Sequence, residues 1–106
     1  DKIIKLVEKL HKRDDEDSQR LAVKVMANLR YEEFIPRLET IVKDNKKPEQ
    51  VRIDALDSLR QMLEKSPEKV EKIFLPLSLD RKQPDVVRMI AISAVALTSR
   101  HSSPVE

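Results

Sequence analysis

The fold class predicted by this sequence is all-α: a two-layer α-solenoid, or α-α superhelix, of about three helix pairs. Three observations predict it. Glycine is absent from all 106 residues, so tight φ > 0 turns, β-hairpins and glycine-rich phosphate loops lose their usual residue. Apolar residues recur at helical spacing along the whole chain. A step of 36 residues also lays one stretch of the chain on another, with Pro48 falling on Pro84, and such self-similarity marks repeat architectures.

The spacing predicts six helices. The first carries Ile3, Ile4, Leu6, Val7 and Leu10. The second runs from about Asp17 to Arg30 with Leu21, Ala22, Val25, Met26 and Leu29 on one stripe. It follows an acidic connection, Asp14 to Asp17, which suits a helix N-terminus because carboxylates accept from its free amides and complement its dipole. The third covers roughly Glu32 to Lys43 through Phe34, Ile35, Leu38, Ile41 and Val42. The polar turn Asp44-Asn45-Lys46-Lys47-Pro48 follows, with its proline at the first position of a fourth helix through Val51, Ala55, Leu56, Leu59, Met62 and Leu63. Ser66-Pro67 opens the fifth in the same way; it continues through Val70, Ile73, Phe74 and Leu77, and Pro76 is expected to end or kink it. The sixth begins near Pro84 and extends to about Ser99.

The 36-residue step superimposes the fourth helix on the sixth: Val51 on Val87, Arg52 on Arg88, Ala55 on Ala91 and Leu59 on Val95, with Asp44 on Asp80 in the preceding turns. A step of 33 puts Ala22 on Ala55, Met26 on Leu59 and Leu29 on Met62. Three helix pairs result, about 2–30, 31–66 and 67–100, within a single repeat segment. A helix pair with an apolar stripe left over must stack on its neighbours, which is why repeats of this kind extend as solenoids. The Val-Arg-x-x-Ala pattern, together with Pro36 and Pro76, resembles HEAT repeats, although those units usually run to about 40–47 residues. Tetratricopeptide and ankyrin units of similar period require a Trp with Leu-Gly, or Thr-Pro-Leu-His, and neither is present.

The stretch from Val51 to Pro104 carries a narrower resemblance. It reads Val-Arg-Ile-Asp-Ala-Leu-Asp-Ser-Leu-Arg, Ser-Pro-Glu-Lys-Val, Phe-Leu-Pro-Leu-Ser-Leu-Asp-Arg and Pro-Asp-Val-Val-Arg-Met-Ile-Ala, ending in Ser-Ser-Pro. This order is similar to the helical domain of the large lipid transfer protein family, of the vitellogenin, apolipophorin and apolipoprotein B type. Two departures are Asp80 in place of the family's Asn before Arg, and Ile90-Ala91-Ile92 in place of its Ala-Ala-Phe run. The resemblance implies a segment of a helical arch around a lipid-filled cavity, in a secreted lipid-transport or yolk-storage protein. It implies lipid in the full-length protein and no catalytic role. Without it, the residues alone suit a cytoplasmic HEAT scaffold that binds other proteins.

Composition narrows the chemistry further. Lys and Arg number 21 against 19 Asp and Glu, giving a formal charge of +2 with the signs interspersed. That is a solvated surface and not a nucleic-acid footprint, and one Tyr, two Phe and no Trp leave little for base stacking. Without cysteine there is no disulfide, thiol nucleophile or thiolate zinc site, and the compartment stays undecided. These residues contain no signal peptide and no membrane-spanning apolar run. His11 and His101 have no partners at metal-ligand spacing and are expected to be exposed helix-end residues. The run Asp14-Asp15-Glu16-Asp17 lacks the glycine and terminal glutamate of a calcium loop, so it is expected to cap a helix. Gly-x-Ser-x-Gly is impossible here. No enzyme, cofactor or metal is therefore expected. Glu8 with Lys12, Glu39 with Lys43 and Glu68 with Lys72 are spaced for surface pairs.

Two groups of residues are candidate sites. Asp44, Arg52, Asp80 and Arg88 are expected to form an inter-repeat ladder, with the carboxylate of Asp44 or Asp80 within hydrogen-bond reach of Arg52 or Arg88, within one unit or across two, in preference to holding an anionic partner. The sixth helix converts Gln50, Asp54, Asp57 and Gln61 of the fourth to Val86, Ile90, Ser93 and Leu97, with Met89 in place of Ile53. A helix apolar nearly all round is buried nearly all round. The face made by Val86, Met89, Ile90 and Leu97 is therefore expected to be covered by something outside these residues: a neighbouring domain or repeat of the same protein, or a second copy of the chain in a homo-oligomer.

Overall fold

A computed structural model describes the backbone of residues 2–102 and the side chains of residues 2–98. Every regular element among the described residues is an α-helix: α1 (Lys2–His11), α2 (Glu16–Leu29), α3 (Phe34–Lys43), α4 (Glu49–Met62), α5 (Pro67–Leu79) and α6 (Asp85–Ser102). The chain divides into two compact units, with the boundary between Leu59 and Arg60. Helices pack in pairs within these units, α1 on α2 in the first and α5 on α6 in the second, and the architecture is that of an α-solenoid-like helical fold.

The helix starts follow the local chemistry. Asp15 caps α2, its carboxylate accepting from the Ser18 amide at 2.9 Å. Pro67 is the first residue of α5, where the missing N–H has no intrahelical partner to lose. Pro48 and Pro84 sit one residue ahead of their helices rather than inside them, and their carbonyls take the first intrahelical bonds, from Arg52 and Arg88, at 3.1 Å each. With no glycine available, the left-handed position that ends α2 falls to Arg30, at φ 55°, whose amide reaches the Met26 carbonyl at 3.0 Å.

In the first unit the buried core includes Val7, Ala22, Val23, Met26, Phe34, Leu38, Ile41, Val42, Val51, Ala55, Leu56 and Leu59. In the second it includes Leu63, Val70, Ile73, Phe74, Leu77, Val87, Ala91 and Ala94. Ala22, Ala55 and Ala91, which the repeat steps superimpose, are all 0% exposed. The 33- and 36-residue registers therefore mark equivalent buried positions.

Several expectations need correction. Pro76 does not end α5, which continues to Leu79. The bond it deletes, to the Lys72 carbonyl, lies one turn from the helix end on an exposed side, where water can take the carbonyl. Helix α3 starts at Phe34, later than Glu32, and α6 runs to Ser102, beyond Ser99. Leu21, expected on the apolar stripe of α2, is 50% exposed, and Ile3 and Leu6 of α1 are exposed as well. These side chains lie on helix sides that no described neighbour covers.

Replacing Ala55 with Leu adds three carbons at a position with 0% exposure. We expect a loss of about 1–3 kcal/mol in urea unfolding, whereas Lys24→Leu, at an exposed position of α2, should stay within about 0.5 kcal/mol.

Candidate functional site

The four ladder residues build the same small structure twice, once in each unit. A helix leaves its last four carbonyls without intrahelical donors. In α3 one of these belongs to Val42, and Arg52 of α4 donates its Nε to it at 3.0 Å. In α5 the equivalent is Ser78, and Arg88 of α6 donates its Nε to that carbonyl at 3.1 Å. A guanidinium in this place also sets positive charge against the negative end of the helix dipole.

The aspartates close the turn from its other side. Asp44 accepts the Lys46 amide on Oδ1 at 2.9 Å, and Asp80 accepts the Lys82 amide at 3.0 Å and the Gln83 side-chain amide at 3.3 Å. The backbone agrees, with φ, ψ of −83°, 103° at Asp44 and −83°, 107° at Asp80. The Lys82 amide, the Gln83 side chain and, more weakly, the Arg88 charge hold the Asp80 carboxyl below its ordinary value. Arg52 is 4% exposed and Arg88 about half-buried. The site therefore brings Asp and Arg to one helix–turn–helix connection, where both arginines donate to main-chain carbonyls and both aspartates accept from main-chain amides.

Two longer-range ion pairs in the first unit have no local sequence signal. Arg20 of α2 donates its Nε to Asp54 of α4 at 2.8 Å, which raises the arginine's affinity for its proton. Arg37 of α3 reaches back to Glu8 of α1 through Nε at 3.1 Å and through Nη2. The hydrogen bond and the charge of Arg37 lower the Glu8 carboxyl, and Lys12, its expected partner, adds only a lesser effect. The pairing of Lys43 with Glu39, at 2.8 Å, is as the spacing predicts.

His11 is not the exposed helix-end residue that the sequence suggests. Its ring is half-buried with Nδ1 shielded from solvent, because the 44–48 turn lies over the end of α1 and Lys47 donates its ammonium to the His11 carbonyl at 3.5 Å. Desolvation lowers the His11 pKa below 6.5; the Lys47 charge lowers it further, against the opposing pull of Asp44. The side chain of His101 lies outside the described residues.

The apolar face of α6 is partly open. Met89 is 60% and Leu97 50% exposed, whereas Val86 and Ile90 are half-buried. Ile92, outside the expected set, is 53% exposed. Leu97 borders a shallow groove of about 170 Å³ lined by Arg60, Gln61, Glu64, Ala94 and Thr98. Among the described residues, no group of three or more His, Asp or Glu is placed to hold a metal ion, and no helix is long and apolar enough to cross a membrane.

The family model for the vitellogenin TPR domain matches residues 1–103. The chain belongs to the vitellogenin TPR-domain family. It is similar to vitellogenin-6 of Caenorhabditis elegans, 28% identical over 94 residues that make up 89% of this chain and 6% of that protein. Vitellogenin-2 of the same nematode is 32% identical over 72 residues, 68% of this chain and 4% of that protein. Vitellogenin-6 of Oscheius tipulae is 26% identical over 96 residues, 91% of this chain and 6% of that protein. This chain thus spans only a small part of the vitellogenins it matches. No solved structure matches the chain. The TPR label notwithstanding, the repeat in this vitellogenin-type segment is carried by Val-Arg-x-x-Ala and a preceding Asp, not by Trp and Leu-Gly.

Two measurements test the site. Arg52→Ala removes a buried donor and leaves the Val42 carbonyl unsatisfied, which should cost about 1–3 kcal/mol in urea unfolding, more than Arg88→Ala at its wetter position. The second is the stability–pH profile. Folding lowers the Asp15 carboxyl from 3.8 to about 2, chiefly through its bonds with Ser18, so its contribution is complete above the ordinary value and is lost as pH falls through about 2. Folding lowers His11 as well, so the unfolded chain binds its proton more readily; that stability is complete above 6.5 and is lost as pH falls below it. Asp15→Asn should flatten only the most acidic limb, and His11→Gln only the limb just below 6.5.

Proposed function

We propose that this chain is a non-catalytic segment of the helical arch of a secreted lipid-transport or yolk-storage protein. The observation that carries this reading is the family match across residues 1–103, which coincides with the helices that repeat in steps of 33 and 36 residues. In such an arch the segment's work is mechanical. It holds helix pairs at a fixed angle so that the larger assembly can enclose lipid.

The geometry supports that role. Asp44 with Arg52, and Asp80 with Arg88, each tie the end of one helix and its following turn to the next helix, at equivalent places in the two units. We assign these four residues to fixing the bend within each helix pair. Arg20–Asp54 and Arg37–Glu8 then link helices of different pairs in the first unit. The buried alanines allow the close helix approach that a regular stack requires.

The test is extraction of the native full-length protein that carries this segment. Phospholipid and neutral lipid should copurify with it through size exclusion and density flotation. A folded, lipid-free preparation that floats with no lipid and takes up none from vesicles would overturn the lipid part of the reading.

A further inference from the structure

Two exposed apolar residues of α6, Met89 and Ile92, occupy positions that are partly or wholly covered in the earlier second helices. By the repeat steps, Ile92 corresponds to Leu56 of α4 and to Val23 of α2, both 0% exposed, against 53% for Ile92. Met89 corresponds to Ile53 and to Arg20. Arg20 is the α2 residue that reaches the next second helix, through Asp54 of α4. Val23 lies one turn along the same side. The side of α2 that faces its successor is therefore the side of α6 that stands open, along Met89, Ile92 and Ala96. The opposite side behaves in the opposite way: Leu21 of α2 is half exposed where its equivalents Asp54 and Ile90 are largely covered.

We infer that the Met89–Ile92–Ala96 stripe seats the second helix of a further helix pair, of the same kind and in the same polypeptide. The interface it would continue is the α2–α4 contact already present in the first unit. The relatives are many times longer than this chain, with ample length for such a pair. The chemistry of the seat also specifies its occupant. Where α2 offers an arginine and α4 answers with an aspartate, α6 offers a methionine. The occupant therefore presents an apolar residue at the position of Asp54, since a carboxylate there would be desolvated with no cation to meet it. The inference rests on the solenoid part of the preceding proposal and not on its lipid part.

Methionine oxidation in the native full-length protein tests it without mutation, because susceptibility follows exposure. After a hydrogen peroxide time course and proteolysis, mass spectrometry compares Met89 with buried Met26 and with a free peptide spanning residues 85–98. We expect Met89 to oxidise at least about tenfold more slowly than in the peptide, near the rate of Met26, and to keep that protection on dilution to monomer and after detergent delipidation. Oxidation at the peptide rate would overturn the inference. So would protection lost on dilution, which would make the occupant a second copy, or protection lost on delipidation while Met26 stays protected, which would make it lipid. A protein without lipid in which Met89 is still protected fails the lipid reading alone.

Discussion

Close approach of helices is the constraint on which the other features depend. Helix axes can come within about 8 Å only where the facing side chains are small, and Ala22, Ala55 and Ala91 supply that at equivalent places with no exposed surface. Valines and leucines around them, Val51, Leu56, Leu59 and Val87 among others, are buried in consequence. Once those sides are committed inward, the remaining sides decide what each helix can offer a partner. Asp54 and Arg20, Met89 and Ile92 all stand on sides that the alanine column leaves free.

A chain without glycine must make its bends by other means, and this one uses side chains. The aspartates at 44 and 80 cap their turns in matching extended conformations, so no positive φ is needed there. The arginines at 52 and 88 satisfy carbonyls that the preceding helix ends leave open. Both devices are polar and directional, and each ties the end of one helix and its turn to the next helix. The bend after α2 has Arg30 at φ 55°, a conformation that an L-residue adopts at a cost.

The helices and their equivalence were legible in the sequence because periodicity and repeat steps average over many residues. The Asp15 cap was legible because a carboxylate before a polar first turn has one obvious use. The four bracket residues could be singled out by the 36-residue step, but the partners of Arg52 and Arg88 could not, since a main-chain carbonyl leaves no mark in the sequence. Glu8 shows the limit of local rules. Lys12 stands at the right spacing, yet Arg37, 29 residues away, makes the hydrogen bonds, as a planar fork that a flexible ammonium does not match. His11 and Leu21 were misjudged for a related reason. Their exposure is set by what lies across from them, the 44–48 turn for the histidine and no described helix for the leucine.

The contrast between Arg20 and Met89 bears on which neighbour each helix accepts. A partly exposed ion pair adds little net stability, so the Arg20–Asp54 contact is better understood as discrimination. Specificity arises as much from penalising the wrong partner as from rewarding the right one. A helix carrying an apolar residue at the place of Asp54 would leave Arg20 partly desolvated and unpaired on α2, and a helix carrying an acid there would strand that acid against Met89 on α6. Arg20 on α2 thereby favours a neighbour with an acid at the place of Asp54, whereas Met89 on α6, like its α4 equivalent Ile53, favours an apolar one.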